Sequence, residues 1–546
     1  NWDLVGNNIP VFFIQDAMKF PDLVHAVKME PDRAFPQAAS AHDTFWDFVS
    51  LMPETLHMVM WAMSDRTIPR SLRMMEGFGV HSFRLLNAAG ESTFVKFHWR
   101  PKLGIQSTVW DEAVKLQSAD NDFHRRDLFE AIEAGDFPEW ELSVQLFTED
   151  DATHFPFEHL DPTKLIPEEL VPLQPIGRMV LNRWPDNFFA ETEQVAFCPA
   201  NVPPGIDFSN DPLLQGRLFS YVDTQLSRLG GPNFTQFPIN APQCPFHNLQ
   251  RDGHMQMQVP KGRVNYEPSS LQSDSPRASQ AQGFRHFAQA DDGVKGRVRP
   301  ESFADHYSQA RMFFRSQSPL EQVHMASALV FELSKVGTPH VREAVVGHLQ
   351  HVDPELARRV ADGLGLQALP PAPQTAEPVQ DLALSPALRI VDRMKPTLQG
   401  RCVGILVADG SNGTSVAALR KALEKVGASV KIVSPKVGGA VLKDGTLLPA
   451  DGQLAGTPSV VFDAVASVLS PEMGARLARE AAAVDWFRDA FGHLKAIAAC
   501  KGTQAILQAG GIAPDAGVVD PADVQGFLAA AQTRQWEREP QVRTLA

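Results

Sequence analysis

The stretch from Gln367 to Gln399, with LPPAPQTAEP near its start, divides the chain into parts that must fold by different rules. Proline fixes φ and removes a backbone donor, so such a run stays extended and joins neither helix nor sheet. Behind it, RCVGILVADG is a buried-strand run ending in a glycine turn, TSVAALRKALEKVG is an amphipathic helix stopped by glycine, and ASVKIVSP is the next strand. That order predicts a parallel sheet with helices on its faces over residues 400–546, and HLKAIAAC leading into KGTQAILQAGG repeats the step. Ahead of the break, residues 1–300 hold short apolar segments interrupted by Pro and Gly, among them VFFIQDA, FVKFHW, LSVQLF, GRMVLNRW and EQVAF. This pattern predicts a β-rich domain, a barrel being one arrangement. Residues 301–366 change to helical spacing: SPLEQVHMASALVFELSKV and TPHVREAVVGHLQHV each open on a Ser or Thr cap followed by Pro. The expected class is α+β, with an α/β unit after the 367–399 linker.

At 546 residues the chain can bury several cores. It is 44% hydrophobic and 21% charged, a globular balance, and has no apolar run near the roughly 18 residues of a membrane span. A net charge of −14 argues against a nucleic-acid surface, which needs clustered Lys and Arg. Cys198, Cys244, Cys402 and Cys500 show no CxxC spacing, so neither a zinc site nor a disulfide framework is signalled and a reducing, cytoplasmic location is expected. The chain opens on Asn1 without a signal peptide pattern, which reads as a fragment or a processed chain.

Chemistry concentrates in DPLLQGRLFSYVDTQLSRLG, Asp211 to Gly230. Arg217 and Tyr221 are four apart and share a helix face, where a guanidinium beside the phenol oxygen favours the phenolate, a hard anionic ligand for ferric iron. The same residues also read as an amphipathic helix with one interfacial tyrosine and a surface arginine. Two facts favour the first reading: three tyrosines stand beside 34 phenylalanines, and a second segment, NWDLVGNNIPVFFIQDAMKFPD, points the same way.

RLFSY followed by DTQ and SRLG resembles the proximal signature of the monofunctional haem catalases, in which tyrosinate ligates haem iron. The first segment resembles the stretch of that family carrying the distal asparagine and the phenylalanines that wall the haem, and NRWPDNFFAETEQVAF and NYEPSSL extend the resemblance over roughly residues 1–300. It implies Tyr221 as the axial ligand and Arg217 as its partner, with Asn7 donating to peroxide and Phe12, Phe13 and Phe20 packing the macrocycle. His98 in VKFHWR matches a histidine that bonds the proximal arginine, Asp211 the carboxylate of the same relay, and Arg228 a propionate-binding arginine. Cys198 lies where some large-subunit members carry a histidine joined covalently to the tyrosine, so that link is not expected. The haem stays open between b and d, and no NADPH is expected. The family's distal histidine lies upstream of the position of Asn1. General acid-base help of that kind contributes about 10² to 10⁴ in rate, so full activity is assigned to the intact parent protein.

The implied reaction disproportionates hydrogen peroxide to water and oxygen in two steps, one peroxide oxidising ferric haem and a second reducing it. A homotetramer with intertwined arms is implied, with neither nucleic acid nor membrane as partner. The last domain resembles the flavodoxin-like, class I glutamine amidotransferase-like domain of large-subunit catalases. Cys500 stands at the elbow of that fold, but Lys501 replaces the expected histidine, so a structural thiol is favoured over a nucleophile. GSNG at 410–413 lacks GxGxxG and the P-loop lysine and reads as a βα turn. The competing readings are a non-catalytic scaffold or chaperone-like protein, and a haem oxidase or peroxidase.

Overall fold

The computed structural model describes residues 2–36, 42–243, 252–272, 279, 283–289, 296 and 298–543; Cys244 lies outside them. Among the described residues, six strands form an antiparallel sheet: β1 (Gly77–Phe78), β2 (Phe83–Leu86), β3 (Ser92–Pro101), β4 (Glu139–Phe147), β5 (Gln174–Val180) and β6 (Ile206–Phe208). The order is β5-β4-β3-β2-β6, with β1 alongside β3. FVKFHW and LSVQLF form the central pair, in register from Phe94↔Phe147 to Pro101↔Trp140. Side chains alternate across a strand, so Val95 and Phe97 join Phe83, Leu142, Val144 and Leu214 in one core.

VFFIQDA is not a strand. Its backbone bends, with Val11 and Ile14 buried, and its N–H groups go to separate partners: Phe12 N–H to the Pro162 carbonyl and Gln15 N–H to the Glu54 carboxylate. A segment threaded between elements buries apolar side chains as a strand does, which is why periodicity misreads it. EQVAF likewise follows a π-helical turn instead of forming a strand.

Helices build the neighbouring core. Leu56–Ala62 is buried from Leu56 through Trp61, so it faces the core on every side, and Ser308–Ser316, Pro319–Leu333, Pro339–Val352 and Pro354–Gly363 pack into the same cluster. Ser318 caps its helix as expected, accepting from Glu321 N–H. Thr338 does not: its hydroxyl is taken by the Asp43 carboxylate of another helix. The proline-rich stretch runs as coil with two short 3₁₀ turns and is pinned to the helical core, with Leu388 and Ile390 buried and Arg66 donating to the Leu388 carbonyl at 2.9 Å.

Beyond it, β7 (Cys402–Val407), β8 (Ser429–Ser434), the small hairpin β9 (Ala440–Val441) and β10 (Leu447–Leu448), β11 (Gly452–Gln453), β12 (Ala464–Val468), β13 (Ile497–Ala499) and β14 (Val518–Val519) follow. Apart from the hairpin they make one parallel sheet in the order β11-β8-β7-β12-β13-β14. Leu419, Leu423 and Phe527 cover one face, and Trp486, Phe487 and Ile506 the other. The architecture is α+β, as expected. Buried charges join this unit to the rest: Arg70 grips Asp463 through two bonds of 2.6 and 2.8 Å, and Glu112 meets Lys495 at 2.9 Å and Arg534 at 2.8 Å.

Candidate active site

The site is built on the 18-residue helix Pro212–Leu229. Asp211 starts it: Oδ1 accepts from the backbone N–H groups of Leu213 (2.9 Å) and Leu214 (3.0 Å), and Pro212 occupies the first turn, where its missing donor costs nothing. Gly230, at φ +81°, ends it. Along the helix, Arg217 Nη2 donates to Tyr221 Oη at 2.8 Å and to the Val5 carbonyl at 2.9 Å. One guanidinium therefore holds the phenol oxygen and also ties the helix to the start of the chain.

Two glycines permit this closeness. A Cβ on Gly216 would fall 2.2 Å from Ala17 Cβ, so the helix can seat on the turn Ala17–Lys19 only without one. A Cβ on Gly6 would meet the Phe78 carbonyl oxygen at 2.0 Å, in a spot where Asn7 and Phe78 exchange backbone bonds of 2.9 and 2.7 Å. Between the two segments opens a cavity of about 430 Å³, with Asn7, Phe12, Phe20, His81, Arg217 and Tyr221 among its lining.

Asp211 Oδ2 carries the second connection. It accepts from His81 Nδ1 at 2.5 Å, with both side chains 1% exposed. Burial lowers the pKa of His81 and outweighs the opposing pull of Asp211, so the imidazole is neutral. With its proton on Nδ1 toward the carboxylate, Nε2 is left as an acceptor, and among the described residues it is buried without a hydrogen-bond partner.

His81, and not His98, is the histidine bonded to Asp211. His98 lies on β3, where Nε2 bonds Gln145 Oε1 at 3.0 Å, and burial takes its pKa down to about 4. Strand register decides this, since His98 pairs with Phe78 on β1 and its side chain is spent within the sheet. His81 carries no periodic signal, because it follows a glycine turn, GFGVHSF, and no regular element; the paired glycines are the one local mark of it. Arg228 does not line the cavity: it donates to the Glu193 carbonyl at 2.5 Å, the Val195 carbonyl and Gln225 Oε1. Phe13 turns away to meet Phe45 edge-on at 6.0 Å, whereas Phe12, Phe20 and Asn7 face the cavity. At the other end of the chain, Cys500 Sγ accepts from Leu469 N–H at 3.2 Å and lies 3.3 Å from the Thr503 hydroxyl, the surroundings of a structural thiol. Asn412 of GSNG caps the following helix through Ser415 N–H, as a βα turn does.

A half-buried tyrosine–arginine pair beside a buried histidine–aspartate pair, at one cavity, defines a class that comparison makes specific. The catalase family model matches residues 1–273, the catalase-related immune-responsive model residues 300–364, and the model of the C-terminal domain found in long catalases residues 399–538. The chain belongs to the catalase family and is of the large-subunit type. It is 58% identical to Catalase C of Rhizobium meliloti (strain 1021), over 100% of this chain and 78% of that protein. It is 53% identical to Catalase HPII of Pseudomonas putida, over 99% and 77%, and 50% identical to Catalase-2 of Bacillus subtilis (strain 168), over 98% and 79%. A non-catalytic scaffold is not favoured.

Proposed function

We propose that the cavity above Tyr221 is the haem site through which this catalase decomposes hydrogen peroxide to water and oxygen. The observation that carries the reading is the 2.8 Å bond from Arg217 to Tyr221 Oη at a cavity wall. The lining fits such a group: Phe12, Phe20, Pro21, Val80 and Leu213 are apolar, and Tyr221 offers one anionic donor to a metal whose remaining donors come with a macrocycle. When bound, haem supplies the iron at which peroxide is alternately reduced and oxidised. Arg217 stabilises the phenolate, and Asp211 fixes the tautomer and orientation of His81, whose free Nε2 presents an acceptor to that side of the site. The Asn7 amide can donate to a peroxide oxygen without titrating, and Phe12 and Phe20 keep the pocket dry. In this reading Phe13 supports Phe12 from behind, and Arg228 holds the helix end against residues 193–195.

The finer assignments belong to the same reading. The antiparallel sheet belongs to a catalase barrel, and the parallel sheet is a flavodoxin-like, amidotransferase-like unit without a working nucleophile. Its parallel order and two covered faces support the second assignment. The active assembly is a cytoplasmic homotetramer carrying haem b or d and protecting against oxidative stress. Among the described residues, no helix is long and apolar enough to cross a membrane. The test is an absorption spectrum of the purified protein with oxygen yield from peroxide in the absence of any organic donor, for the unsubstituted chain and for Tyr221→Phe. A high-spin ferric spectrum and oxygen release, both lost in Tyr221→Phe, are expected; unchanged haem binding in the variant sinks the assignment. Turnover that requires an organic donor indicates a peroxidase.

A further inference from the structure

Val80 is a β-branched residue at φ +66°, a backbone region that such side chains scarcely enter. The cause is local. His81 N–H donates to the Gly79 carbonyl at 2.9 Å, an i to i+2 bond that makes Val80 the centre of a γ-turn of the rare, strained hand. On its near side the turn is tied to β3 through Gly79 N–H and the Phe97 carbonyl at 2.9 Å. On its far side it delivers His81 to Asp211, and Val80 itself lines the cavity. A strained turn persists where its surroundings over-determine it.

Lys96 supplies that constraint. From the middle of β3, its Nζ donates to the Val80 carbonyl at 2.8 Å. The strand neighbours Val95 and Phe97 are apolar core residues, yet Lys96 is only 6% exposed. Among the described residues, no carboxylate stands within ion-pair distance of its ammonium, although Asp211 and Asp161 act on it from further away. Burial takes its pKa down to about 8. An ammonium placed in a core at such a cost calls for a reason in what it touches.

We propose that Lys96 is a positioning residue of the catalase site: its ammonium clamps the Val80 carbonyl, holds the strained turn, and so fixes His81 between Asp211 and the cavity. The inference rests on the reading of that cavity as the haem site. It separates Lys96 from the residues that touch the bound group, since it acts through two others.

The test is a double-mutant cycle on the purified holoenzyme. Lys96→Met keeps the length of the stem and removes the donor, and Val80→Gly lets the turn form without strain, because glycine takes positive φ freely. Haem content per chain, the ferric visible spectrum, kcat and KM for peroxide, and thermal midpoint are measured for both single variants and the double. Lys96→Met should shift the ferric bands, lower haem retention and reduce kcat about tenfold, a loss of the size seen when the support of a metal ligand is removed. In the Val80→Gly background the same substitution should cost much less, so the effects are not additive. A Lys96→Met protein with an unchanged spectrum and kcat overturns the clamp, as does a double variant whose defects are the sum of the singles. If Lys96→Met does not accumulate as folded protein, Lys96→Leu, which also lacks a donor, replaces it with the same two outcomes. Absence of haem from the unsubstituted protein overturns the site reading and the clamp together, whereas a haem-replete protein indifferent to Lys96 overturns the clamp alone.

Discussion

One carboxylate at position 211 does two jobs, and the two can be separated. In Asp211→Asn the amide oxygen can still cap the helix, but the anion facing His81 is lost. The helix should persist by circular dichroism while kcat/KM for peroxide falls about 10- to 100-fold, as is usual when the partner of a site histidine is removed. An unchanged kcat/KM would show that His81 needs no anion behind it. Gly216→Ala tests the fit of the helix on Ala17, because the added methyl has only 2.2 Å available. It should cost about 1 to 3 kcal/mol, read as a lower thermal midpoint. At this scale the sequence words name Arg217, Tyr221, Asn7, Phe12 and Phe20, which line one cavity, and Asp211, which starts the helix beneath it. His81 could not, because what selects it over His98 is a three-residue turn and a strand register, and neither leaves a periodic trace.

Among the elements, the helix Pro319–Leu333 shows how a local signal serves a distant contact. Ser318 and Glu321 form a capping box, and the same Glu321 accepts from Ile390 N–H at 2.8 Å and Val391 N–H at 3.2 Å through its other oxygen. Ser318→Ala should cost about 1 kcal/mol in unfolding by denaturant. Glu321→Ala should cost more and open the strap, so that limited proteolysis cuts near residues 386–393 in the variant and spares the parent; equal cutting rates would refute the link. The Ser318 cap was legible in SPLEQ, whereas Thr338 looked equivalent and is used differently because Asp43 reaches its hydroxyl first. FVKFHW and LSVQLF were legible as strands since each alternates against a partner. VFFIQDA has their composition and no partner, so composition alone misleads.

Across the whole molecule, the junction with the parallel-sheet unit is held by buried charge and should respond to pH in two windows. His324 meets Asp65 at 2.7 Å and Glu539 at 3.4 Å. Burial opposes its charge, but the two carboxylates prevail and raise its pKa to about 10. Its contribution is complete below its ordinary value of about 6.5 and fades as pH rises toward about 10. Glu112 behaves inversely. Burial would raise it, yet Arg534 and Lys495 bring it down to about 2, so its contribution is present above about pH 4.5 and is lost as pH falls toward 2. Calorimetry from pH 7 to 10 should show a falling transition temperature that His324→Gln flattens; parallel slopes would remove His324 from the account. The proline run at residues 367–399 stands out in the sequence, but the paired charges that close the junction lie hundreds of positions apart and carry no sequence signal. The same separation marks the site itself. Arg217 joins Val5 across 212 residues, and His81 joins Asp211 across 130. A ribosome extends the chain from its first residue, so the early segment leaves the exit tunnel with nothing to close against until residue 221 has followed it out. The cavity between them is thereby completed only late in synthesis or in the released chain, and a pause before residue 211 would leave a polypeptide in which it has no second wall.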